Sequence, residues 1–450
     1  MKRFMSVFVI ALLACAFCAP ASAAPQKEWT FMVFLNADNN LDSFGVGDLA
    51  EMVKAGGSND DINIICLLDR ENGPATLNYV TKDGAKVVGE PGEVDMGDYR
   101  EYVKFVVETA RAYPAKHYCS VMWNHGSGWK DVKGEIIKGI SYDDQSGHHI
   151  TTNELTIALK EIETAIGQKL DVFCFDACLM QMIEVAYAIK DGADYLVASE
   201  ETEPGEGYPY TEILTGLKKG VTPEAFAKHM VNVYAASYDG GSAGNSSSTQ
   251  SALKCSEIDN LRDAINGFCK AAIAGNYGAE FKAALNSAQK FYYRTNIDFG
   301  HFVALTKNSI KDEAFQTAAN KLQAALDKTI VINGLSGYNT KNATGLAIYL
   351  PASSYSFSAE YKDLAFAKDT MWQTMVMDYY KKVTTKTLVA EVARGDVSGL
   401  MNYVATANEK NREVSADVIA KMNFRVFAEG GLDAATQTNV KNMLSDLKNK

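Results

Sequence analysis

Two stretches decide the fold of this chain: YCSVMWNHGSGW at residues 118–129 and LDVFCFDACLM at residues 170–180. Each begins as an apolar run without alternation, which is typical of a strand buried on both faces of a parallel sheet. The first run ends on His125, and the second ends on Asp176 and Cys178. Because ligands bind at the carboxyl edge of such sheets, we expect an imidazole and a thiol to meet there.

The rest of the N-terminal half alternates strands with helices. Strands are predicted at 29–35, 62–68 and 195–198, a hairpin at 75–88 around Asp83-Gly84, and helices at 98–112, at 152–166 and directly after Cys178. Strands separated by helices predict an α/β fold with a mostly parallel central sheet that is covered on both faces.

The second half is less regular. We predict helices near 210–218 and 223–237, an exposed loop at 239–249, and strands at 251–255 and 345–351. Beyond residue 386 the sequence is charged and helix-like. The predicted domains are therefore 24–385, and a helical C-terminal extension of unknown role at 386–450.

The first residues predict an export signal. Lys2 and Arg3 precede a largely apolar run at 4–17, and Ala21-Ser22-Ala23 forms a small-residue cleavage site. We expect residues 1–23 to be removed and the protein to be secreted or periplasmic. Lipoprotein anchoring at Cys15 is the lesser alternative. The apolar run is too short to span a bilayer.

Composition bears on the binding partners of the protein and on the state of its cysteines. The formal net charge of −11 argues against nucleic acid or an anionic lipid surface as a partner. Six of the eight cysteines follow the predicted signal, and Cys66, Cys119 and Cys174 lie inside apolar strand-like runs. Their spacing matches no disulfide framework or zinc site, so we expect mostly free thiols.

Cys178 is the candidate nucleophile and His125 the candidate acid/base. A thiol attacks a carbonyl as the thiolate, which a helix start directly after Cys178 would favour through its dipole and N–H groups. Gly126 has no side chain, so its N–H can approach a substrate carbonyl closely. The alternatives are a buried structural cysteine and a structural histidine.

Acidic residues surround these positions. If Asp176 faces the substrate pocket, it would pair with an Arg or Lys side chain; otherwise it would cap the next helix. Further candidates lie in the stretch SEETEPGEGYPY at 199–210, for which a solvated acidic loop is the alternative. These weaker candidates for binding a basic side chain are Glu200, Glu201, Glu203 and Glu206.

We predict no metal site and no cofactor. Asp38, Asn40 and Asp42 have the alternate spacing of a calcium loop, but Ser43 and Leu49 replace the glycine and the closing glutamate of an EF-hand. The adjacent residues His148 and His149 lack the spacing of a ligand set, and we expect them in a loop. No H-E-x-x-H pattern supports a metallohydrolase.

Together these motifs resemble the clostripain family of cysteine peptidases, which are relatives of caspases, gingipains and legumain. The resemblance extends from Trp29 to Tyr380. The residues that carry it are WTFMV at 29–33, NADNNL at 36–41, NHGSGW at 124–129, DACLM at 176–180, ASEE at 198–201, GYPY at 207–210, GLAIYLP at 345–351, and Trp372.

The resemblance implies a caspase-like α/β/α sandwich and peptide hydrolysis after Arg or Lys through a thioester acyl-enzyme. The catalytic pair would be His125 and Cys178, the oxyanion donors the N–H groups of Gly126 and Cys178, and the acidic specificity residue Asp176. The expected partners are peptide or protein substrates with Arg or Lys at the cleavage site.

Two family properties have no clear counterpart in this sequence. Members are often activated by self-cleavage between the two catalytic motifs, yet the loop at 143–149 holds no Arg or Lys. The upstream residues Lys130, Lys133 and Lys138 are the more accessible candidates, since Lys160 and Lys169 lie in or just after the predicted helix at 152–166. Some relatives depend on calcium, but nothing in this sequence defines a calcium site.

Two other functions stay open at this level. The first is a non-catalytic binding protein on a peptidase fold. The second is a peptide ligase or transpeptidase that uses the same thioester, because water and an amine compete for one intermediate.

Overall fold

The computed structural model describes residues 25–129, 139–408, 412–428 and 432–450. The predicted export signal at 1–23, with Cys15, lies outside the described residues. So do the three candidate self-cleavage positions, Lys130, Lys133 and Lys138.

The β-strands of the described residues are β1 Lys27–Ala37, β2 Ile62–Arg70, β3 Ala75–Thr81, β4 Gly84–Gly92, β5 Ala115–Trp123, β6 Ile140–Asp143, β7 His148–Ile150, β8 Leu170–Asp176, β9 Ala193–Ala198, β10 Asp239–Gly241, β11 Gly244–Asn245, β12 Ser248–Lys254, β13 Asn296–Asp298, β14 Ile330–Ser336 and β15 Ala347–Tyr349.

The α-helices are α1 Asp42–Lys54, α2 Tyr99–Ala112, α3 Thr152–Ile166, α4 Ile183–Ile189, α5 Tyr210–Thr215, α6 Pro223–Ser237, α7 Ile258–Ala274, α8 Gly278–Ser287, α9 Phe299–Ser309, α10 Glu313–Thr329, α11 Ala365–Asp369, α12 Trp372–Ala393, α13 Ser398–Thr406, α14 Arg412–Ala428 and α15 Ala434–Lys448.

The central sheet has nine strands in the order β14-β12-β9-β8-β5-β1-β2-β3-β4. The five strands from β9 to β2 are parallel to one another, whereas β12 and β14 at one end and β3 and β4 at the other pair antiparallel. The predicted α/β fold with a mostly parallel sheet is confirmed.

Helices bury both faces of this sheet. Side chains of β1 alternate between the two cores: Met32 and Phe34 pack on the side of α2, α3 and α4, and Phe31 and Val33 pack on the side of α1, α5 and α6. Because each face is covered, the central strands need apolar residues at every position. This burial explains the unbroken apolar runs of β5 and β8.

Local sequence signals set the ends of several elements. Thr151 and Glu154 form a reciprocal capping box at the start of α3, and Gly167 ends the helix with a φ of 79°. Asp83 and Gly84 lie at the turn between β3 and β4, which confirms the hairpin.

Other expectations were wrong. The helix after Cys178 begins only at Ile183. The predicted loop at 239–249 instead contains β10, β11 and the start of β12. His148 and His149 lie in the short strand β7, where the His148 Nδ1 atom contacts the Asp95 carboxylate.

The C-terminal helices continue from the predicted domain at 24–385 without a break at its predicted boundary. Helix α12 contains residue 386 and packs against α7, α8 and α14. The division into two domains stays a prediction. None of the described helices combines the length and apolar character that crossing a bilayer requires.

Free thiols were expected, and the six cysteines of the described residues are all unpaired. Five of them are buried, and Cys178 alone among the six is half-buried. A buried thiol behaves as a small apolar side chain, whereas Cys178 retains access to solvent.

Candidate active site

The pairing of β5 with β8 brings the two sequence motifs to one edge of the sheet. Trp123 lies opposite Asp176 in the parallel register, and the Asn124 N–H donates to the Asp176 carbonyl oxygen at 3.2 Å. His125 and Cys178 each lie two residues beyond this last pair. The structure therefore places both candidate catalytic residues at the carboxyl edge, in neighbouring loops.

Gly126 allows these two loops to touch. A Cβ atom at Gly126 would lie 2.4 Å from the carbonyl oxygen of Cys178 and 3.1 Å from the Cβ of Ala177. Real Cβ atoms do not approach so closely, so the contact requires glycine. The backbone of Gly126 thus packs directly on the Cys178 carbonyl oxygen and the Ala177 side chain. The predicted oxyanion role of Gly126 depends on a close approach of this kind.

Asn40 holds the imidazole of His125. Its Oδ1 atom lies 2.7 Å from the Nε2 atom of the ring. An amide oxygen only accepts hydrogen bonds, so Nε2 carries the proton and Nδ1 is the acceptor of the neutral ring. The preceding Asn39 fixes the turn, because its side chain bonds the Tyr142 carbonyl oxygen and the Leu41 N–H.

The role of Asn40 was not predicted from the sequence, which presented it only as part of a failed calcium loop. A usable signal was present. Asn40 follows β1, the strand that pairs with β5, so it lies at the same carboxyl edge as His125. Groups at the ends of adjacent parallel strands are candidates to meet.

The electrostatic surroundings keep both catalytic candidates neutral. Burial raises the pKa of the Cys178 thiol above its ordinary value; the Glu203 N–H, 3.3 Å from Sγ, opposes this shift. Burial also lowers the pKa of His125, with the Asp144 carboxylate opposing it. At neutral pH these two shifts favour a neutral thiol and a neutral imidazole over a thiolate and an imidazolium.

The expected helix start next to the sulfur is wrong. Cys178 is followed by Leu179, which has a φ of 64°, and the first residue of α4 is Ile183. The helix dipole falls off within its first turn, so it does not act at Cys178. Burial therefore raises the pKa of the thiol without a helix start beside the sulfur to oppose it, and the low pKa that the sequence suggested is absent.

Asp176 is buried, with 4% of its surface exposed. The Tyr208 N–H donates to its carboxylate at 3.1 Å and the Tyr210 hydroxyl at 2.9 Å. Gly207 packs on the carboxylate with a φ of 55°, and a Cβ there would lie 2.8 Å from Oδ1. The helix-capping alternative is wrong, because α4 begins seven residues later and has no side-chain cap.

Asp176 belongs to an acidic group that we call the specificity cluster, which consists of Asp48, Asp176 and Glu203. Burial raises the pKa of Asp176 to about 7 and that of Asp48 to about 9, with the Asp176 charge adding to the second shift. Burial and Asp176 hold the pKa of Glu203 well above its ordinary value. Within the described ranges no Lys, Arg or His forms an ion pair with the cluster.

The four glutamates that looked equivalent in the sequence have different surroundings. Glu203 faces Asp176 and Cys178. Glu200 is buried and accepts the Gly345 N–H at 3.0 Å. Glu201 accepts the N–H groups of Thr202 and Tyr292. Glu206 is exposed. Of the four, Glu203 is the one that lies against Asp176.

Comparison with known proteins places this chain in a family. Residues 33–380 match the clostripain family, Peptidase_C11. Clostripain from Hathewaya histolytica is 30% identical over 227 residues, which are 43% of this chain and 43% of that protein. The aligned region thus spans less than half the length of this curated relative.

Two solved structures share the fold. One is an inactive zymogen C11 protease from Parabacteroides distasonis, with 22% identity and a TM-score of 0.61. The other is a secreted C11 cysteine protease from Bacteroides thetaiotaomicron in complex with an irreversible peptide inhibitor, with 20% identity and a TM-score of 0.61. Each match covers 77% of this chain and 99% of the other chain.

The family match extends over more than three quarters of the chain, from β1 into α12, and it includes both motifs of the site. The solved relatives agree with the sheet and helices described above. The protein therefore belongs to the clostripain family of cysteine peptidases.

Proposed function

We propose that the protein is an exported cysteine endopeptidase that cleaves peptide bonds after Arg or Lys, with Cys178 as the nucleophile and His125 as the acid/base. The observation that carries this proposal is the meeting of the His125 and Cys178 loops beside a buried acidic cluster at one edge of the sheet.

The proposed reaction starts from the neutral pair. As the Cys178 sulfur attacks the substrate carbonyl, the thiol proton passes to Nδ1 of His125, and Asn40 steadies the resulting imidazolium through Nε2–H. The N–H groups of Gly126 and Cys178 are the proposed donors to the oxyanion. Collapse of the tetrahedral intermediate breaks the C–N bond, and His125 returns the proton to the leaving amine.

The second half of the reaction consumes the thioester. His125 removes a proton from water, the hydroxide attacks the acyl carbon, and the C–S bond breaks. The carboxylic acid product leaves, and the proton returns to the sulfur of Cys178. An amine in place of water would give the ligase or transpeptidase reaction from the same thioester.

The specificity cluster supports the preference for Arg or Lys at P1, the residue before the scissile bond. Three buried carboxyl groups lie together without a basic partner among the described residues, so a cationic side chain would supply the missing charge. A charge-assisted contact of this kind contributes about 1.5–3 kcal/mol, which corresponds to roughly tenfold to a hundredfold selection.

Export and self-processing are parts of this proposal. The signal at 1–23 and the lysines Lys130, Lys133 and Lys138 lie outside the described residues, so both rest on the sequence. Cleavage in the segment between the His125 and Cys178 motifs would follow from the proposed Lys specificity. The neutral thiol agrees with a precursor that awaits such cleavage.

The test is hydrolysis of fluorogenic peptides that differ only in P1: Arg, Lys, Asp or Leu. We expect wild-type activity on the Arg and Lys peptides, with or without prior nicking by trypsin, and none with Cys178→Ala. Asp176→Asn should lower kcat/KM for basic peptides by roughly tenfold to a hundredfold. Glu206→Gln, an exposed change in the same segment, is the matched control and should have no effect.

Other outcomes would contradict the proposal. Cleavage after Asp or Leu would keep the nucleophile and refute the pocket. Activity that survives Cys178→Ala would refute the nucleophile. If no peptide is cleaved even after nicking, a non-catalytic binding protein becomes the better account, and new amide products with an added amine would identify a ligase.

A further inference from the structure

A groove of about 620 Å³ opens beside the segment at 199–203, which contacts the sulfur of Cys178. Loops from distant parts of the chain form its walls, and most of their side chains are polar. We call it the polar groove, and its lining includes Thr202, Ser247, Asn286, Lys290, Arg294 and Asn339.

The strand order places the polar groove at the same edge of the sheet as His125 and Cys178. Strand β12 is antiparallel to both of its neighbours, β9 and β14. The end of β9, the start of β12 and the end of β14 therefore lie together at the carboxyl edge. Thr202 follows β9, Ser247 precedes β12 and Asn339 follows β14, so the groove extends over these three strand ends.

One short segment separates the groove from the candidate nucleophile. The Leu179 N–H donates to the Glu201 carbonyl oxygen at 3.1 Å, and the Glu203 N–H lies 3.3 Å from Sγ of Cys178. Glu201 and the following Thr202 also line the groove. A peptide bound at Cys178 would therefore reach the groove within a few residues.

The position of His125 indicates which part of a substrate would enter the groove. His125 follows β5 and, in the proposed reaction, protonates the leaving amine, so residues after the scissile bond would lie on the β5 side of β8. Strands β9, β12 and β14 lie on the other side of β8. The residues before the scissile bond would therefore extend over the groove.

Strand spacing gives the substrate positions that would reach the groove. Neighbouring strands lie about 4.8 Å apart, so the middle of the groove, over β12, is roughly 10 Å along the edge from β8. An extended peptide advances about 3.3 Å per residue. Roughly two or three residues therefore separate P1 from the residue in the groove, which corresponds to P3 or P4.

The groove carries positive charge that no described carboxylate neutralises. Burial and the nearby charge of Arg294 lower the pKa of Lys290. Among the described residues, no ion pair includes either cation. The carboxylate of Glu201 already accepts the N–H groups of Thr202 and Tyr292. An anion in the groove would relieve the repulsion between Lys290 and Arg294.

The two cations also have donors to offer. The Lys290 Nζ atom donates to the carbonyl oxygens of Leu285 and Asn286 at 2.6 and 3.1 Å, which holds the ammonium in place and leaves one of its three donors. Arg294 is exposed, and its planar guanidinium matches the two oxygens of a carboxylate. A fixed ammonium beside an adaptable guanidinium suits a carboxylate side chain.

We propose that the polar groove is a substrate subsite that binds an Asp or Glu side chain at P3 or P4 through Lys290 and Arg294. This inference rests on the proposed peptidase function and narrows its substrates. The specificity cluster would bind the basic side chain at P1, and the groove would bind the acidic side chain upstream. The preferred substrate would therefore carry opposite charges two or three residues apart.

The test is a set of fluorogenic peptides with Arg at P1 and Asp, Asn or Lys at a single position from P2 to P5. For the wild type, we expect Asp at P3 or P4 to raise kcat/KM about three- to tenfold over Asn, and Lys to lower it. This preference should shrink as the salt concentration rises from about 0.05 to 0.5 M, because salt screens charges in a solvated groove.

Three variants of Arg294 and one control separate the groove from a general effect of charge. Arg294→Gln should reduce the preference for Asp to less than about twofold, and Arg294→Glu should reverse it in favour of Lys. Arg294→Lys should keep part of the preference, because the charge remains and the planar fork is lost. Lys311→Gln, an exposed change outside the groove, should behave as wild type, and Tm checks the folding of each variant.

The outcomes distinguish this inference from the proposed function. Equal kcat/KM for Asp and Asn at both P3 and P4, or a preference that Arg294→Gln leaves intact, would overturn the subsite and keep the peptidase. If the wild type cleaves no peptide, the proposed function fails. Fluorescence anisotropy of the same peptides with Cys178→Ala then decides the groove separately: tighter binding of the Asp peptide that depends on Arg294 supports it, and equal binding overturns it.

Discussion

Replacing Asn40 with Ala tests how the imidazole of His125 is positioned. The substitution removes the acceptor that lies 2.7 Å from Nε2, while Asn39 still holds the turn through Tyr142 and Leu41. The ring loses its only described side-chain partner. We expect the protein to remain folded, because the Asn40 side chain is exposed and contributes little buried surface.

The size of the effect follows from the charge on the ring. Burial lowers the pKa of His125, so its ground state is neutral, and a neutral hydrogen bond contributes about 0.5–1.5 kcal/mol. In the transition state the ring becomes an imidazolium, for which the same bond contributes about 1.5–3 kcal/mol. The difference of about 1–1.5 kcal/mol predicts a roughly 5- to 13-fold loss in kcat. KM should change little.

The assay is steady-state hydrolysis of an Arg peptide over a range of pH, with Tm as the control for folding. Asn40→Asp restores an acceptor and adds a negative charge. It should therefore recover activity relative to Asn40→Ala and raise the pKa of His125, which sets the acid limb of the pH–activity profile. A loss confined to KM, or an equal loss in Asn40→Asp and Asn40→Ala without a shift of the pH profile, would refute a positioning role.

Three further predictions concern the same edge of the sheet. The raised pKa leaves Asp176 neutral below about pH 7 and charged above it. The ratio of kcat/KM for Arg peptides to that for Leu peptides should therefore rise as the pH increases through about 7. A ratio independent of pH would contradict the role of the specificity cluster. Gly126→Ala should abolish most activity, since the new Cβ would meet the Cys178 carbonyl oxygen, and wild-type kcat would contradict the described contact. Glu200→Gln should keep P1 selectivity within about twofold of wild type. The pKa of Glu200 is held well above its ordinary value, and the amide oxygen of Gln would still accept the Gly345 N–H. A loss of Arg selectivity comparable to that of Asp176→Asn would contradict a structural role for Glu200.

The strands of the site were predictable from sequence because their cause is local. A strand covered on both faces must be apolar at every position, and β5 and β8 show this directly. The meeting of the loop that holds His125 with the loop that holds Cys178 then followed from the parallel order of strands. The capping box of α3 was readable for the same reason, since its atoms lie within four residues.

The backbone after Cys178 was not predictable, because distant residues determine it. The residues Leu179 to Met182 favour a helix, but the Leu179 N–H donates to Glu201 and the Gln181 N–H to Ser199. The Gln181 side chain also bonds Ser251. These contacts with the segment after β9 and with β12 replace the bonds of a first helical turn. Tertiary contacts of this kind override local propensity.

The different surroundings of the acidic residues could not be predicted from the sequence for a similar reason. Glu200 and Glu203 are three positions apart in a stretch that reads as a solvated loop, yet one bonds Gly345 and the other faces Asp176. The carboxylates of Asp38 and Asp143 likewise lie close together although more than one hundred residues separate them in the sequence. Sequence spacing carries no information about such pairs, whereas the strand order does.

Labelling with an irreversible Arg-containing peptide electrophile, mapped by mass spectrometry, tests the central claim most directly. The account predicts a single adduct at Cys178, because the other five described cysteines are buried, and much slower labelling by the matching Leu compound. In the His125→Ala variant, the Arg compound should label Cys178 more slowly than it does in the wild type. An adduct at another cysteine, or equal labelling by the Arg and Leu compounds, would contradict the assignment of Cys178 as the nucleophile beside an acidic specificity cluster.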